Sequence, residues 1–292
     1  MKQRASKEEI LKAIEEVPLL SPSASRLLQI TSQEDHDIKE VIDIVKCDAS
    51  LTARVLKIVN SVAYGLAHEV TTIDRAVSYL GERMVAGIAL GDSASALFHK
   101  ELAGYEGPKS ELWNHDLRTA IAAREIARFA KEPLSPDLAF TAGILHAVGK
   151  AVLSDFLGKT ANEVLVGIDS HEVSDYLAGE RDLLGIDHTE AGYVLAKNWE
   201  LPESLQMAIR YHHRPDEAPE EYKLLVYAVH LGCIIAMMCG SQASDSLQYH
   251  LNKNYTEYFD LTSEQIASVM LEVNEAFDTL DSAMSDTKET SL

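Results

Sequence analysis

The chain has 292 residues, with 26 Lys+Arg against 46 Asp+Glu and a formal net charge of −20. Hydrophobic residues make up 46% and charged residues 25%, a globular mixture with enough apolar material for a large core, which excludes wholesale disorder. So acidic a chain repels phosphate backbones, and no run of Lys and Arg offers a basic patch, so no nucleic-acid partner is expected. The three cysteines, Cys47, Cys233 and Cys239, are odd in number and form no CxxC, which suggests neither a disulfide framework nor a thiolate zinc site. Residues Met1 to Glu16 are charged and lack the apolar core of a signal peptide. The longest apolar stretch, Leu224 to Cys239, falls short of the ~20 residues a spanning helix needs and contains His230. A cytoplasmic protein without a membrane partner is the expectation.

Helix starts can be read along the chain. Ser6 with Glu9 makes a capping box for a helix from about Lys7. Ser21-Pro22 places a cap before proline at the first helical position. Asp48 caps a helix over Ala49 to Asn60, with Leu51, Val55, Ile58 and Val59 on one side. Ala103 to Pro108 holds two glycines and a proline and is the candidate junction between an N-terminal bundle and a C-terminal part. Ser135-Pro136 opens a helix through Phe140, Ile144, Leu145 and Val148. Leu201-Pro202 opens one through Leu205 and Ile209, and Thr262 with Gln265 boxes the last, carrying Ile266, Val269, Met270 and Val273. The polar stretch 281–292 shows no periodicity and is expected to fray. The fold class is all-α, with roughly a dozen helices. The expected division is 1–105 for the N-terminal helical subdomain and 106–280 for the second.

Five of the eleven histidines stand out: His115, His146, His188, His212 and His213. All follow the proposed junction. Glu111 lies one helical turn before His115, so the two share a face. His146 is flanked by Ala142, Gly143 and Gly149, small residues that let a helix approach its neighbours closely. Imidazoles from several helices can converge to bind a metal inside a bundle. No short ligand motif such as HExxH is present, and a single helical histidine is more often a hydrogen-bonded core or surface residue. His36, His68, His99, His171, His230 and His250 are read that way, and Cys233 as a small core residue.

The stretch Asp48-Ala-Ser-Leu-Thr-Ala-Arg-Val-Leu-Lys-Ile-Val-Asn-Ser-Val-Ala-Tyr64 resembles the signature helix of HDOD domains. Ile73 to Gly81 is similar to the helix and turn that follow it there. Gly143 to Lys150 resembles their degenerate HD segment. The resemblance covers roughly residues 15 to 235. It implies an all-helical regulatory module, an N-terminal bundle packed on a helical domain like that of HD and HD-GYP metal phosphohydrolases. By position, it implies metal ligands at His115, His146, His188, His212 and His213, with Glu111 as an extra carboxylate and Lys150 near a substrate phosphate. The chain departs from the active relatives at two points. Ala147 stands where their HD doublet has aspartate, and Cys233 falls near their final aspartate ligand. No GYP motif follows His146.

The doublet aspartate of active relatives bridges two cations, whose charge of about +4 a buried site must neutralise. Five neutral imidazoles supply none of that charge and Glu111 supplies one unit, so a two-metal phosphohydrolase centre is not expected. The cofactor is expected to be none or a single divalent transition metal. Without metal, the imidazoles offer a pH-sensitive joint near neutrality, or a vestigial packed cluster. The expected function is a non-catalytic signalling module that binds a protein partner or small ligand, with Arg54, Lys57, Asn60 and Ser61 as candidate contacts; Asn60 and Ser61 equally suit a helix end. The alternative is a metal-dependent phosphohydrolase acting on a nucleotide or cyclic dinucleotide, in which Lys150 and the histidines serve. A third is a sensor that binds a nucleotide without cleaving it.

Overall fold

The computed structural model describes residues 5–289 apart from 34–35, 62–63, 159–163, 165, 168–173 and 241–248; over 281–289 it describes the helical backbone. His171, and Val62 and Ala63 of the Asp48 to Tyr64 stretch, lie outside the described residues.

The N-terminal part comprises α1 (Lys7–Glu15), α2 (Pro22–Thr31), α3 (Ile38–Cys47), α4 (Ala49–Val59), α5 (Ile73–Leu80), α6 (Glu82–Ser93) and the single turn α7 (Ser95–Phe98). Then come α8 (Glu111–Ala127), α9 (Pro136–Leu145), α10 (Gly149–Leu157), α11 (Tyr176–Leu184), α12 (His188–Asn198), α13 (Glu203–Tyr211), α14 (Glu220–Met238), α15 (Tyr255–Tyr258) and α16 (Ser263–Glu289). Among the described residues the only β features are the isolated bridges Leu102–Gly107 and Ala130–Phe259.

The anticipated starts are made by the anticipated side chains. Ser6 Oγ accepts from Glu9 N–H at 3.2 Å while the Glu9 carboxylate accepts from Ser6 N–H at 2.8 Å. Asp48 accepts from Leu51 N–H at 3.0 Å, and Ser135 from Leu138 N–H at 3.3 Å. Thr262 and Gln265 make the reciprocal box at the start of α16. Each satisfies an amide that the first helical turn would otherwise leave without a partner.

Asn60 ends α4. Its amide donates to Leu56 O at 2.9 Å and Val70 O at 2.8 Å, and its oxygen accepts from Val70 N–H at 2.7 Å. The side chain therefore ties the end of α4 to the approach to α5. Asn60→Ala is expected to lower stability by about 1–3 kcal/mol, because Val70 is buried and its peptide groups lose their partners. Denaturant unfolding at constant m-value checks this.

One continuous set of buried apolar side chains runs from Ile10 to Leu280. α8 packs between α9 and α14, while α10 packs on α12. The segment expected as a junction folds as a turn with Gly104, Tyr105 and Gly107 buried. Ala103–Tyr105 forms a single 3-10 turn, and Gly104 N–H donates to Ser154 Oγ at 3.0 Å. A Cβ at Gly104 would lie 2.6 Å from Ser154 O, so the glycine serves close approach to α10. α16 also runs further than expected, to Glu289. Residues 281–289 contain neither Gly nor Pro, so nothing in the covalent chain stops the helix.

Two stretches, Pro136–Leu157 and Glu220–Met238, are long and apolar enough to cross a membrane. They are 89% and 67% buried against the rest of the chain, which accounts for their apolar character as core helices.

Candidate metal centre

The five histidines meet, although four separate segments carry them. His115 lies on α8, His146 ends α9, His188 begins α12, and His212 and His213 follow α13. Ring centroids are 5.1 Å apart for His115–His146, 4.8 Å for His146–His212, 5.6 Å for His188–His212 and 4.1 Å for His212–His213. His115, His146, His188 and His212 are buried. Glycines bring the backbones close enough. A Cβ at Gly143 would meet Ala120 Cα of α8 at 2.5 Å, and one at Gly149 would meet His188 O at 2.0 Å.

Backbone and carboxylate acceptors orient the rings. His146 Nδ1–H donates to Gly143 O at 2.8 Å, and His212 Nδ1–H to Ile209 O at 2.9 Å. His188 Nδ1–H donates to Glu180, whose oxygens lie at 2.9 and 3.0 Å. In each neutral ring the proton on Nδ1 leaves a lone pair on Nε2. The Nε2 atoms of His188, His212 and His213 and the Nδ1 of His115 are buried without a hydrogen-bond partner. His146 Nε2 faces His115 Nε2 at 3.2 Å. Buried nitrogen lone pairs held in place by outer acceptors are the arrangement a transition metal requires.

The donors form two groups, each with its ligand atoms within 4.8 Å of one another: His115, His146 and Cys233, and His188, His212 and His213. Glu111 is buried at the first turn of α8, and among the described residues its carboxylate belongs to neither group. Cys233 does more than fill space, because its Sγ lies 3.6 Å from His115 Nε2.

Burial pushes His115, His212 and His213 well below the ordinary imidazole value. It takes His146 down to about 3, with Lys150 and the His188 ring adding to the effect and the Gly143 hydrogen bond opposing it. These four rings are therefore held neutral at pH 7, which does not favour the expected proton switch near neutrality. A buried cluster cannot hold several like charges without solvent or counter-charge.

Two carboxylates beside the cluster escaped sequence reasoning. Glu180 of α11 is fully buried and accepts from His188 N–H at 2.7 Å and Tyr105 O–H at 2.6 Å, besides the ring. Asp116 is fully buried and its Oδ1 lies 3.3 Å from His146 Nδ1, whose proton goes to Gly143. Burial raises the Asp116 carboxyl well above the usual range, with only Lys150 opposing. His115-Asp116 is itself a His-Asp dipeptide, but so is His36-Asp37, and nothing local separates them. Glu180 carries no local signal at all.

Lys150 is buried with its Nζ 5.5 Å from the Tyr105 ring centroid and 5.4 Å from that of Tyr249. Tyr249 stacks on His213 at 3.7 Å. His230 stands outside both donor groups. Its Nδ1–H donates to His212 O at 2.7 Å and its Nε2 accepts from Asn252 N–H at 2.9 Å, so both nitrogens are satisfied. The other candidate contacts lie on the N-terminal bundle. Arg54 Nε is 3.3 Å from Asp92, Lys57 is exposed, and Asn60 is occupied in capping beside Ser61.

Comparison with known proteins agrees with this architecture. The model of the HDOD domain matches residues 17–215. An uncharacterized protein of Treponema pallidum (strain Nichols) is 25% identical over 221 residues, covering 74% of this chain but 41% of that protein. The chain thus spans about two fifths of that relative. A Geobacter sulfurreducens HDOD domain protein of unknown function superposes with a TM-score of 0.70 at 26% identity, over 94% of this chain and 96% of that one. A Marinobacter aquaeolei VT8 protein provisionally named for signal transduction has a TM-score of 0.74 at 25% identity, over 98% of this chain and 62% of that one. A provisionally named phosphohydrolase of Shewanella amazonensis SB2B, 24% identical with a TM-score of 0.57, shares the fold over 96% of this chain and 94% of that one. The match across residues 17–215 makes the chain a member of the HDOD domain family.

Proposed function

We propose that the chain is a non-catalytic signalling module, acting in the cytoplasm by binding a protein partner or a small ligand, and that its histidine cluster holds a single divalent transition metal. The observation that carries this reading is Ala147. Its methyl side chain is fully buried where the active relatives would place a bridging carboxylate, and among the described residues both donor groups consist of nitrogen and sulfur. Glu180 orients the His188 ring, while Asp116 lies beside His146 without a hydrogen bond to it, and neither carboxylate belongs to a donor group.

The donors fit a cation, since each group supplies three ligands of types that zinc accepts. When bound, the ion supplies a Lewis-acid centre with an exchangeable position. The remaining chemistry belongs to the chain. Glu180 holds the His188 ring, Ile209 O holds the His212 ring, and the Lys150 ammonium offers positive charge between two aromatic rings to an anionic group. The phosphohydrolase reading is favoured only by that lysine and by the contiguity of the two donor groups.

Metal analysis of protein purified without chelator, together with a phosphodiesterase screen on nucleotides and cyclic dinucleotides, tests the proposal. The expected result is one metal per chain and no turnover. Two metals per chain and turnover abolished by His146→Ala would replace it with the phosphohydrolase. A melting-temperature screen with the same compounds separates a sensor, which a ligand stabilises, from a module read only by proteins.

A further inference from the structure

Cys233 occupies a position that packing alone does not explain. It sits one residue beyond Gly232, where a Cβ would lie 2.8 Å from Thr119 O and 3.0 Å from Ala123 N of α8. α14 and α8 are therefore in backbone contact at that point, and the contact delivers Sγ to the His115 ring. We propose that the Cys233 thiolate is a metal ligand, completing with His115 and His146 a mononuclear site of two nitrogens and one sulfur for a zinc-like cation. The inference rests on the reading that the histidine cluster holds a metal, and it names which donors hold it.

The spacing matches. Around a tetrahedral cation with metal–nitrogen bonds of about 2.0–2.1 Å and a metal–sulfur bond of about 2.3 Å, two nitrogens lie about 3.3 Å apart and nitrogen and sulfur about 3.6 Å apart. The corresponding separations are 3.2 Å between the two Nε2 atoms and 3.6 Å between His115 Nε2 and Cys233 Sγ. The tautomer matches too, because Gly143 O takes the His146 Nδ1 proton and leaves Nε2 as the donor. The second group, all imidazole, brings no negative charge, whereas the first brings a thiolate with Asp116 behind His146. The thiolate offsets one of the two positive charges of the cation, which no imidazole can do. Binding releases the thiol proton to solvent as the sulfur–metal bond forms. Sulfur also sets the preference, since thiolate with imidazole favours zinc over magnesium, calcium or manganese.

Cobalt(II) titration of metal-stripped full-length protein tests this by absorption, independently of any activity. Wild-type protein, Cys47→Ser and Cys239→Ser are expected to show a thiolate-to-cobalt charge-transfer band in the near ultraviolet at one equivalent. Cys233→Ser is expected to lose that band and to bind cobalt roughly ten- to a hundred-fold more weakly. Cys233→Asp, which restores an oxygen donor, is expected to regain affinity without the band. Far-ultraviolet circular dichroism of each variant confirms that it is folded. Cobalt bound by wild type without a thiolate band, with Cys233→Ser equal in affinity, overturns the sulfur ligand and leaves the all-imidazole group as the metal site. No binding by wild type overturns the metal reading itself.

Discussion

Gly149→Ala is expected to destabilise the protein by about 3 kcal/mol or more, although alanine is the better helix former. Gly149 begins α10, where helix propensity alone would favour the substitution by up to about 1 kcal/mol. Packing decides against it. The added Cβ would lie 2.0 Å from His188 O, 2.5 Å from Gly192 N and 3.0 Å from Gly192 Cα. All three are backbone atoms of α12, so no rotamer change relieves the overlap and the two helices must part. His188 begins α12, so the same movement spreads the imidazole cluster. Gly87→Ala is the contrasting control. It also lies within a helix, but its Cβ would touch only Phe140 Cε1 at 3.5 Å, an ordinary contact. That variant is expected to be neutral or slightly stabilising. Denaturant unfolding of both variants checks the pair, and equal stabilities would show that α10 and α12 can separate without cost.

Metal-free protein is expected to lose stability steeply on acidification from pH 7 to pH 5. His115, His212 and His213 are pushed well below the ordinary value by burial, His146 to about 3 and His230 to about 4. The unfolded chain binds protons at these positions below about pH 6.5, while the folded chain does not. Their contribution is therefore complete above that pH and is lost as pH falls toward the folded values. Asp116 acts in the opposite sense. Its folded pKa is raised, so its contribution is complete below the unfolded value and is lost as pH rises. Across this window it offsets one of the five histidines, leaving a net difference of about four protons and a slope of at most roughly 5 kcal/mol per pH unit. Unfolding at pH 7, 6 and 5.5 measures it. A flat profile would mean that the rings already carry charge or water in the folded state. Bound cation should hold the same rings neutral and shift the loss to lower pH.

The helix starts were legible because a cap is a local device. Ser6 reaches Glu9, Asp48 reaches Leu51 and Thr262 reaches Gln265, each three residues away, so neighbouring chemistry settles them. The five histidines stood out along the chain, and the family resemblance implied their roles as ligands. Their convergence, and the rest of the centre, was not written locally. Tyr105 and Glu180 are 75 residues apart, and His115 and Cys233 are 118 apart.

What the sequence determined by itself is the all-α class and the polar starts of the helices it named, since helical period and capping act over a few residues. Only the tertiary structure decided that Asp116 and Glu180 stand beside the histidines and that Cys233 reaches His115. Those positions follow from which backbones touch at Gly143, Gly149 and Gly232, and such contacts depend on the packing of the whole core.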